Sequence, residues 1–236
     1  MEFFETHLRA FVAAPIYGLA YLVAALVFWR VARRRNMATE GISVLLVVGL
    51  VGGLAAANLA QLIFTGQPGK SIEGGIAGGW IAVILAKRYL RIRRPTGDLF
   101  ALAISAGESI GRIACFIGGC CYGKAATLAW ATYEHGALRQ PTQLYLAVWA
   151  ALTYGLLVVL DRRRVLPENG LFVVQGLLFC SGRFVIEFYR TAPAFAFGLT
   201  AAQLGALAGI VVFGTLALRM HARTRQTSRA LAAASA

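Results

Sequence analysis

Charge is what this sequence has least of. Lysine, arginine, aspartate and glutamate make up 14% of its 236 residues, against roughly 25% in an average soluble domain. Hydrophobic residues make up 58% and the mean hydropathy is +0.67. A soluble fold of this length has no interior large enough to bury so much apolar surface, so the composition points to a membrane protein. Histidine is scarce as well. His7, His135 and His221 all fall in loops or tails, and no Ser–His–Asp arrangement is readable. Four cysteines, Cys115, Cys120, Cys121 and Cys180, are too few for a disulfide scaffold. No lysine follows Lys124, so the last apolar run cannot carry a retinal Schiff base. No internal repeat is visible, which weighs against a transporter built from repeated halves.

Seven apolar segments are predicted, at about 11–29, 42–64, 72–86, 99–117, 143–160, 171–188 and 197–218. Most approach the roughly 20 residues that cross about 30 Å of hydrocarbon. The third is short and opens with the glycine-rich run EGGIAGG, so it is the weakest of the seven. The opening residues MEFFETHLR carry Glu2 and Glu5 and no basic region, and Arg30, Arg33, Arg34 and Arg35 follow the first segment in place of a cleavage site. The first segment is therefore expected to be a retained helix.

The net charge of +13 lies in short clusters between the apolar runs. This fits membrane orientation and contact with anionic lipid, and no motif points to nucleic acid. Sixteen basic residues follow segments one, three, five and seven, at 30–35, 87–94, 162–164 and 219–229. The opposite side holds five: Arg9, Lys70, Lys124, Arg139 and Arg190. Translocation of basic residues is disfavoured, so the rich side is expected to be cytoplasmic. The predicted fold class is all-α: a polytopic membrane protein of about seven transmembrane helices, N-terminus outside and C-terminus cytoplasmic. Residues 1–222 form one transmembrane domain and 223–236 read as a disordered cytoplasmic tail.

Charges within apolar segments are costly, at least about 2.5–3.5 kcal/mol at the bilayer centre on insertion scales, and mark candidate functional residues. Glu73, Glu108, Arg112, Arg183 and Glu187 lie in or at the edge of such segments. Glu108 and Arg112 are four apart on one helix, and so are Arg183 and Glu187, so each pair can partly neutralise itself. Two structural ion pairs are one reading. The other is that Arg112 and Arg183, from separate helices near the outer half, converge on one anion. Guanidinium binds phosphate bidentately and keeps its charge when desolvated, which suits a phosphate-bearing lipid. The glycines at 74, 75, 78, 79, 107, 111, 118, 119 and 123 read either as close helix packing or as backbone approach to a headgroup. The C-x4-C-C cysteines read as small packing residues, a redox-active group or a metal site, with His135 a weak fourth ligand.

The run Gly111-R-I-A-C-F-I-G-G-C-C-Y-Gly123 resembles the signature of the bacterial prolipoprotein diacylglyceryl transferases, G-R-x-G-N-F-x-N-G-E-x-x-G. Tyr17-G-L-A-Y-L, Ser71-I-E-G-G-I-A-G, Arg139-Q-P-T-Q-L-Tyr145 and Gly182-R-F-V-I-E-F-Y-Arg190 resemble further blocks of that family, in the family's order and over most of the chain. Several positions depart from it. Glu73 stands for a histidine, Cys115 for an asparagine, Gly118 for a second asparagine, Cys120 for a glutamate, Gln140 for a histidine and Leu146 for a glutamate. The G-C-C-Y-G form is similar to a divergent branch.

The resemblance implies seven helices with the N-terminus outside, in the bacterial inner membrane. It implies transfer of a diacylglyceryl group from phosphatidylglycerol to the cysteine thiol of a lipoprotein precursor, at its lipobox peptide, with glycerol phosphate leaving. Under it, Arg112 and Arg183 stabilise the leaving phosphate, and Glu73 is the candidate base in the histidine's place, with Glu108 a second candidate. Tyr17, Glu108, Gln143, Tyr145, Glu187 and Arg190 are the expected substrate-binding residues. No metal or cofactor is expected. The alternatives are an enzyme of the same fold acting on another acceptor, and a non-catalytic phospholipid-binding membrane protein.

Overall fold

A computed structural model of the protein describes the backbone of residues 2–66 and 71–234. It describes side chains over 8–9, 11–39, 41–63, 66, 71 and 74–226. Lys70 and the side chain of Glu73 lie outside the described residues. Among the described residues seven helices follow one another: α1 (Glu2–Arg34), α2 (Glu40–Thr65), α3 (Ile72–Tyr89), α4 (Gly97–Ile117), α5 (Thr142–Arg163), α6 (Gly170–Glu187) and α7 (Ala201–Ala234). Each predicted segment falls on one of them. Among the described residues six are long and apolar enough to cross a membrane; α3, with 18 residues, is not among these six. Large apolar side chains stay exposed along the six, including Phe11, Leu26, Val51, Leu152 and Val211. A soluble protein does not present such a surface, and a bilayer covers it. Helix α7 runs on through the alanine-rich segment 223–234 that the sequence sets apart as a tail.

The helical fold carries one short strand pair that the sequence does not show. Between α4 and α5 lies a short hairpin of β1 (Thr132–Glu134) and β2 (Ala137–Arg139), pairing Thr132 with Arg139 and Glu134 with Ala137. Its two loop residues, His135 and Gly136, have φ of 48° and 76°. Positive φ at both positions is what a two-residue primed turn requires, because its twist matches that of the strands.

The chain divides into two compact units, Ala25–Pro95 and Met1–Ala24 with Thr96–Ala236. In the first, α2 and α3 pack closely through small residues. Gly74 and Gly78 face Ala56, Gly75 faces Gly53 and Ala57, and Gly79 faces Gly49 and Gly53. The packing reading of the segment-three glycines therefore holds for these four. Ser71 begins α3 as its N-cap, accepting a hydrogen bond from the Gly74 N–H at 3.1 Å.

In the second unit, α4 packs on α5 and α6, and α6 on α7. The starts of α4 and α6 are tied together. The Gly97 N–H donates to Asn169 Oδ1 at 3.0 Å, and the Phe172 N–H donates to the buried Asp98 Oδ1 at 3.3 Å. Beyond the far ends, the Thr191 N–H donates to Tyr122 O at 3.3 Å, and the Lys124 N–H to Tyr189 O at 2.8 Å. Two helices joined at both ends in this sense run parallel. Midway, the Trp149 indole of α5 lies over Gly182 of α6 and donates to Leu178 O at 2.8 Å.

Candidate active site

The parallel pair sets the depth of the two arginines. Arg112 lies fourteen residues past Asp98, and Arg183 fourteen past Asn169. From the Gly97–Asn169 tie they stand fifteen and fourteen residues on, and from the Asp98–Phe172 tie fourteen and eleven, so at 1.5 Å per residue their depths agree to within about 5 Å. Both are buried, at 4% and 7% exposure. Each meets a carboxylate of its own helix: Arg112 Nη2 is 3.0 Å from Glu108 Oε1, and Arg183 Nη1 is 2.8 Å from Glu187 Oε2. The two pairs read from four-residue spacing are thus formed. Arg190 joins the second, with Nη1 2.9 Å from the same Glu187 oxygen, and Thr200 Oγ1 adds a 3.4 Å hydrogen bond to Glu187 Oε1.

Three thiols meet at the end of α4. The Gly119 N–H donates to Phe116 O and the Cys120 N–H to Cys115 O, both at 3.1 Å, with Gly119 at φ 67°. These are the paired bonds of a Schellman ending, which bring the side chain five residues on back over the last turn. Glycine is favoured at the left-handed position because it has no Cβ to clash. Cys121 follows at φ 62°, and Cys120 Sγ donates to Cys115 O at 3.6 Å. Tyr17 OH of α1 lies 3.1 Å from Cys115 Sγ. The Cys115 and Cys120 hydrogen bonds, with the positive fields of Arg190 and Arg112, push the Cys121 thiol far below its ordinary range. Hydrogen bonding to Cys115 and Cys121, with burial, pushes Cys120 up.

The loop after this trio is threaded between two segments. The Gly123 N–H donates to Gln140 O at 3.1 Å, and Gly123 O accepts from Thr191 Oγ1 at 3.0 Å. A Cβ on Gly123 would meet the carbonyl oxygens of Gln140 and Tyr189 inside van der Waals contact. Gln143, at 1% exposure, donates from Nε2 to Cys120 O at 2.8 Å and to Glu134 Oε2 at 3.1 Å. Its Oε1 has no hydrogen-bond partner among the described residues, an unmet acceptor beside the thiols. Thr142 Oγ1 donates to Cys121 O at 3.0 Å. Tyr145 OH accepts from Trp130 Nε1 at 2.8 Å. His135 Nε2 is 2.7 Å from Gly119 O, and no group of three metal-binding side chains occurs among the described residues.

The family model for prolipoprotein diacylglyceryl transferase matches residues 6–219. The chain belongs to the prolipoprotein diacylglyceryl transferase family. It is 28% identical to a phosphatidylglycerol–prolipoprotein diacylglyceryl transferase of Dehalococcoides mccartyi, over 90% of this chain and 92% of that protein. It is 33% identical to the Campylobacter curvus protein of that name, over 64% of this chain and 57% of that one.

Within this family member, the second unit brings together Tyr17, Glu108, Arg112, Gln143, Glu187 and Arg190 with the thiol trio through the contacts above. Tyr145 is turned to Trp130. Glu73 lies on α3 in the other unit, with its side chain outside the described residues. Sequence reasoning missed Thr142 and Glu134, and weighed Cys121 only as part of the C-x4-C-C run. The approach of Cys120 to Cys115 had a signal: C-x3-G-C across a helix end spells a Schellman ending.

Proposed function

We propose that this protein transfers the diacylglyceryl group of phosphatidylglycerol to the cysteine thiol of a lipoprotein precursor. In the reaction the thiol sulfur bonds to the glyceryl carbon and loses its proton. The carbon–oxygen bond to phosphate breaks, and glycerol phosphate leaves with the electron pair. Charge grows on the phosphate oxygens, so fixed cations at that point lower the barrier. The observation that carries the reading is the burial of Arg112 and Arg183 at similar depth on parallel helices. A guanidinium stays charged when desolvated and holds a phosphate through two hydrogen bonds. Gln143 Oε1, unpaired and buried, is suited to accept from a headgroup hydroxyl, and Tyr17 OH to donate.

In this reading the six long helices, with α3 as a seventh crossing, span the bacterial plasma membrane. The N-terminus is outside and the C-terminus is cytoplasmic, in keeping with the excess of arginine beyond segments one, three, five and seven. The acceptor is a lipobox peptide. Glu73 stands where the family has a histidine, and its role as base rests on that correspondence alone. Complementation tests the reading. The gene should restore growth and lipoprotein lipidation in a bacterium depleted of its own transferase, and Glu73→Gln should lower lipidation sharply at equal protein level. No rescue by well-expressed, membrane-inserted protein would reject the reading. Full rescue by Glu73→Gln would reject Glu73 as the base.

A further inference from the structure

Helix α7 opens with a reciprocal pair of hydrogen bonds. The Gln203 N–H donates to Thr200 Oγ1 at 3.1 Å, and the Thr200 N–H donates to Gln203 Oε1 at 2.9 Å. This is a capping box, in which each of two side chains at a helix start satisfies the other residue's backbone donor. It fixes the Gln203 amide, because turning the amide over would set its NH2 group against the Thr200 N–H. Gln203 is 2% exposed, and its Nε2 has no hydrogen-bond partner among the described residues.

The box is joined to the arginine cluster, since Thr200 Oγ1 donates to Glu187 Oε1 at 3.4 Å. The Glu187 carboxylate has no capacity left for Gln203. Its Oε2 faces Arg183 Nη1 at 2.8 Å and Arg190 Nη1 at 2.9 Å, and its Oε1 faces Arg190 Nη1 at 3.3 Å besides the Thr200 hydroxyl. Two oxygens that meet four donors are full. Arg190 Nε is likewise buried and without a partner among the described residues. The carbonyls beside Arg190 already accept bonds: Tyr189 O from the Lys124 N–H, and Gly123 O from Thr191 Oγ1.

A capping box accepts glutamate as readily as glutamine, and a carboxylate suits the positive end of a helix better. What glutamine adds is the buried donor, and an unmet buried donor costs stability. An oxygen that arrives with a ligand supplies the missing acceptor. With Arg183 and Arg190 gathered on the same carboxylate, an anionic oxygen fits best. The loop between Arg190 and Thr200 presents Phe195 and Phe197 at 76% and 96% exposure. Aromatic side chains exposed in this way suit a membrane interface, where the anion is a lipid phosphate.

We propose that Gln203 is a further substrate-binding residue, its Nε2 donating, together with Arg190 Nε, to a phosphate oxygen of phosphatidylglycerol. Thr200 links the two through Glu187 and holds the Gln203 amide in the donating orientation. The residue lies outside the sequence blocks that resemble the family. The lipid as source of the phosphate rests on the transferase reading; the buried donor does not.

Purified full-length protein in detergent micelles is titrated with phosphatidylglycerol, with diacylglycerol as a lipid that lacks phosphate, and with inorganic phosphate, while thermal unfolding is followed. Gln203→Glu keeps the cap and loses the donor. Without lipid it should melt at or above the wild-type temperature, yet bind phosphatidylglycerol about tenfold or more weakly, the scale of a lost hydrogen bond to a charged group. Gln203→Met loses the donor and the cap and adds no charge. It should melt lower and show a similar weakening, and if Gln203→Glu does not fold it decides alone. Diacylglycerol affinity should be the same in all three proteins. A purely structural role would lower stability and leave the ratio of the two lipid affinities unmoved. Undiminished phosphatidylglycerol affinity in Gln203→Met, or an equal loss for diacylglycerol, overturns the proposal. Protection by inorganic phosphate with none by phosphatidylglycerol overturns the lipid as the source. The expected affinity changes without any lipid transfer by the wild type support the Gln203 site and remove only the transferase reading.

Discussion

Arg112 and Arg183 sit at similar depth on parallel helices, fifteen and fourteen residues past the Gly97–Asn169 tie and fourteen and eleven past the Asp98–Phe172 tie. If both act on one leaving phosphate, each is needed in the transition state and the two are coupled. Lysine keeps the charge but loses the planar fork. Arg112→Lys and Arg183→Lys should each lower kcat by roughly 10²–10³-fold, the scale seen when one stabilising donor is lost. The double variant should lose less than the product of the two. Single-turnover lipid transfer by variants of unchanged thermal stability checks this.

Glu187 carries two guanidiniums on one oxygen while 3% exposed. Removing its charge leaves two buried cations with a shared loss. Glu187→Gln should destabilise the protein by about 3–5 kcal/mol, the range for breaking a buried pair from one side. Glu168→Gln, at an exposed site, should stay within about 0.5 kcal/mol. Denaturation in mixed micelles gives both values.

Gly123 is pressed between the Gln140 and Tyr189 carbonyls. Alanine there must push apart the segments that frame the thiol loop, at about 1–3 kcal/mol for an overpacked site. Gly18→Ala, where an added Cβ meets nothing within 4 Å, is the control and should be near neutral. Thermal unfolding compares them, and only Gly123→Ala should also reduce transfer.

The Cys121 thiol is held far below its usual range by its two thiol donors and by Arg190 and Arg112, so it stays ionised as pH falls through neutrality. In reduced Cys115→Ala/Cys120→Ala protein Cys121 keeps the two guanidinium fields but loses both hydrogen-bond donors, and its alkylation by iodoacetamide should steepen with pH. In reduced wild type the rate should change little between pH 8 and 6, whereas a thiol of pKa about 8.5 slows roughly 80-fold over that span. Rates read by mass spectrometry at several pH values test both.

The helices were legible because hydrocarbon demands long apolar runs, and the runs at 42–64, 99–117 and 171–188 fall within two residues of α2, α4 and α6. Helix α3 was harder because its glycines lower its hydropathy while serving its packing on α2. The hairpin at 132–139 was not seen, since three-residue strands leave almost no periodic signal; only the His135–Gly136 turn hinted at it. The ion pairs of Glu108 with Arg112 and Arg183 with Glu187 followed from four-residue spacing. Arg190 on the same oxygen did not, because it depends on how the chain turns after α6. The thiol trio was read mainly as packing, because counting cysteines by spacing ignores the left-handed turn at Gly119 that brings them together.

The central claim is that the buried guanidiniums stabilise glycerol phosphate leaving a diacylglyceryl group. Its most direct test is mass spectrometry of a lipobox peptide incubated with the purified protein and phosphatidylglycerol, with glycerol phosphate measured in the same reaction. The account predicts a diacylglyceryl mass increase on the peptide cysteine, matched one for one by glycerol phosphate and lost in Arg112→Ala. An unmodified peptide, or modification undiminished in Arg112→Ala, would contradict it.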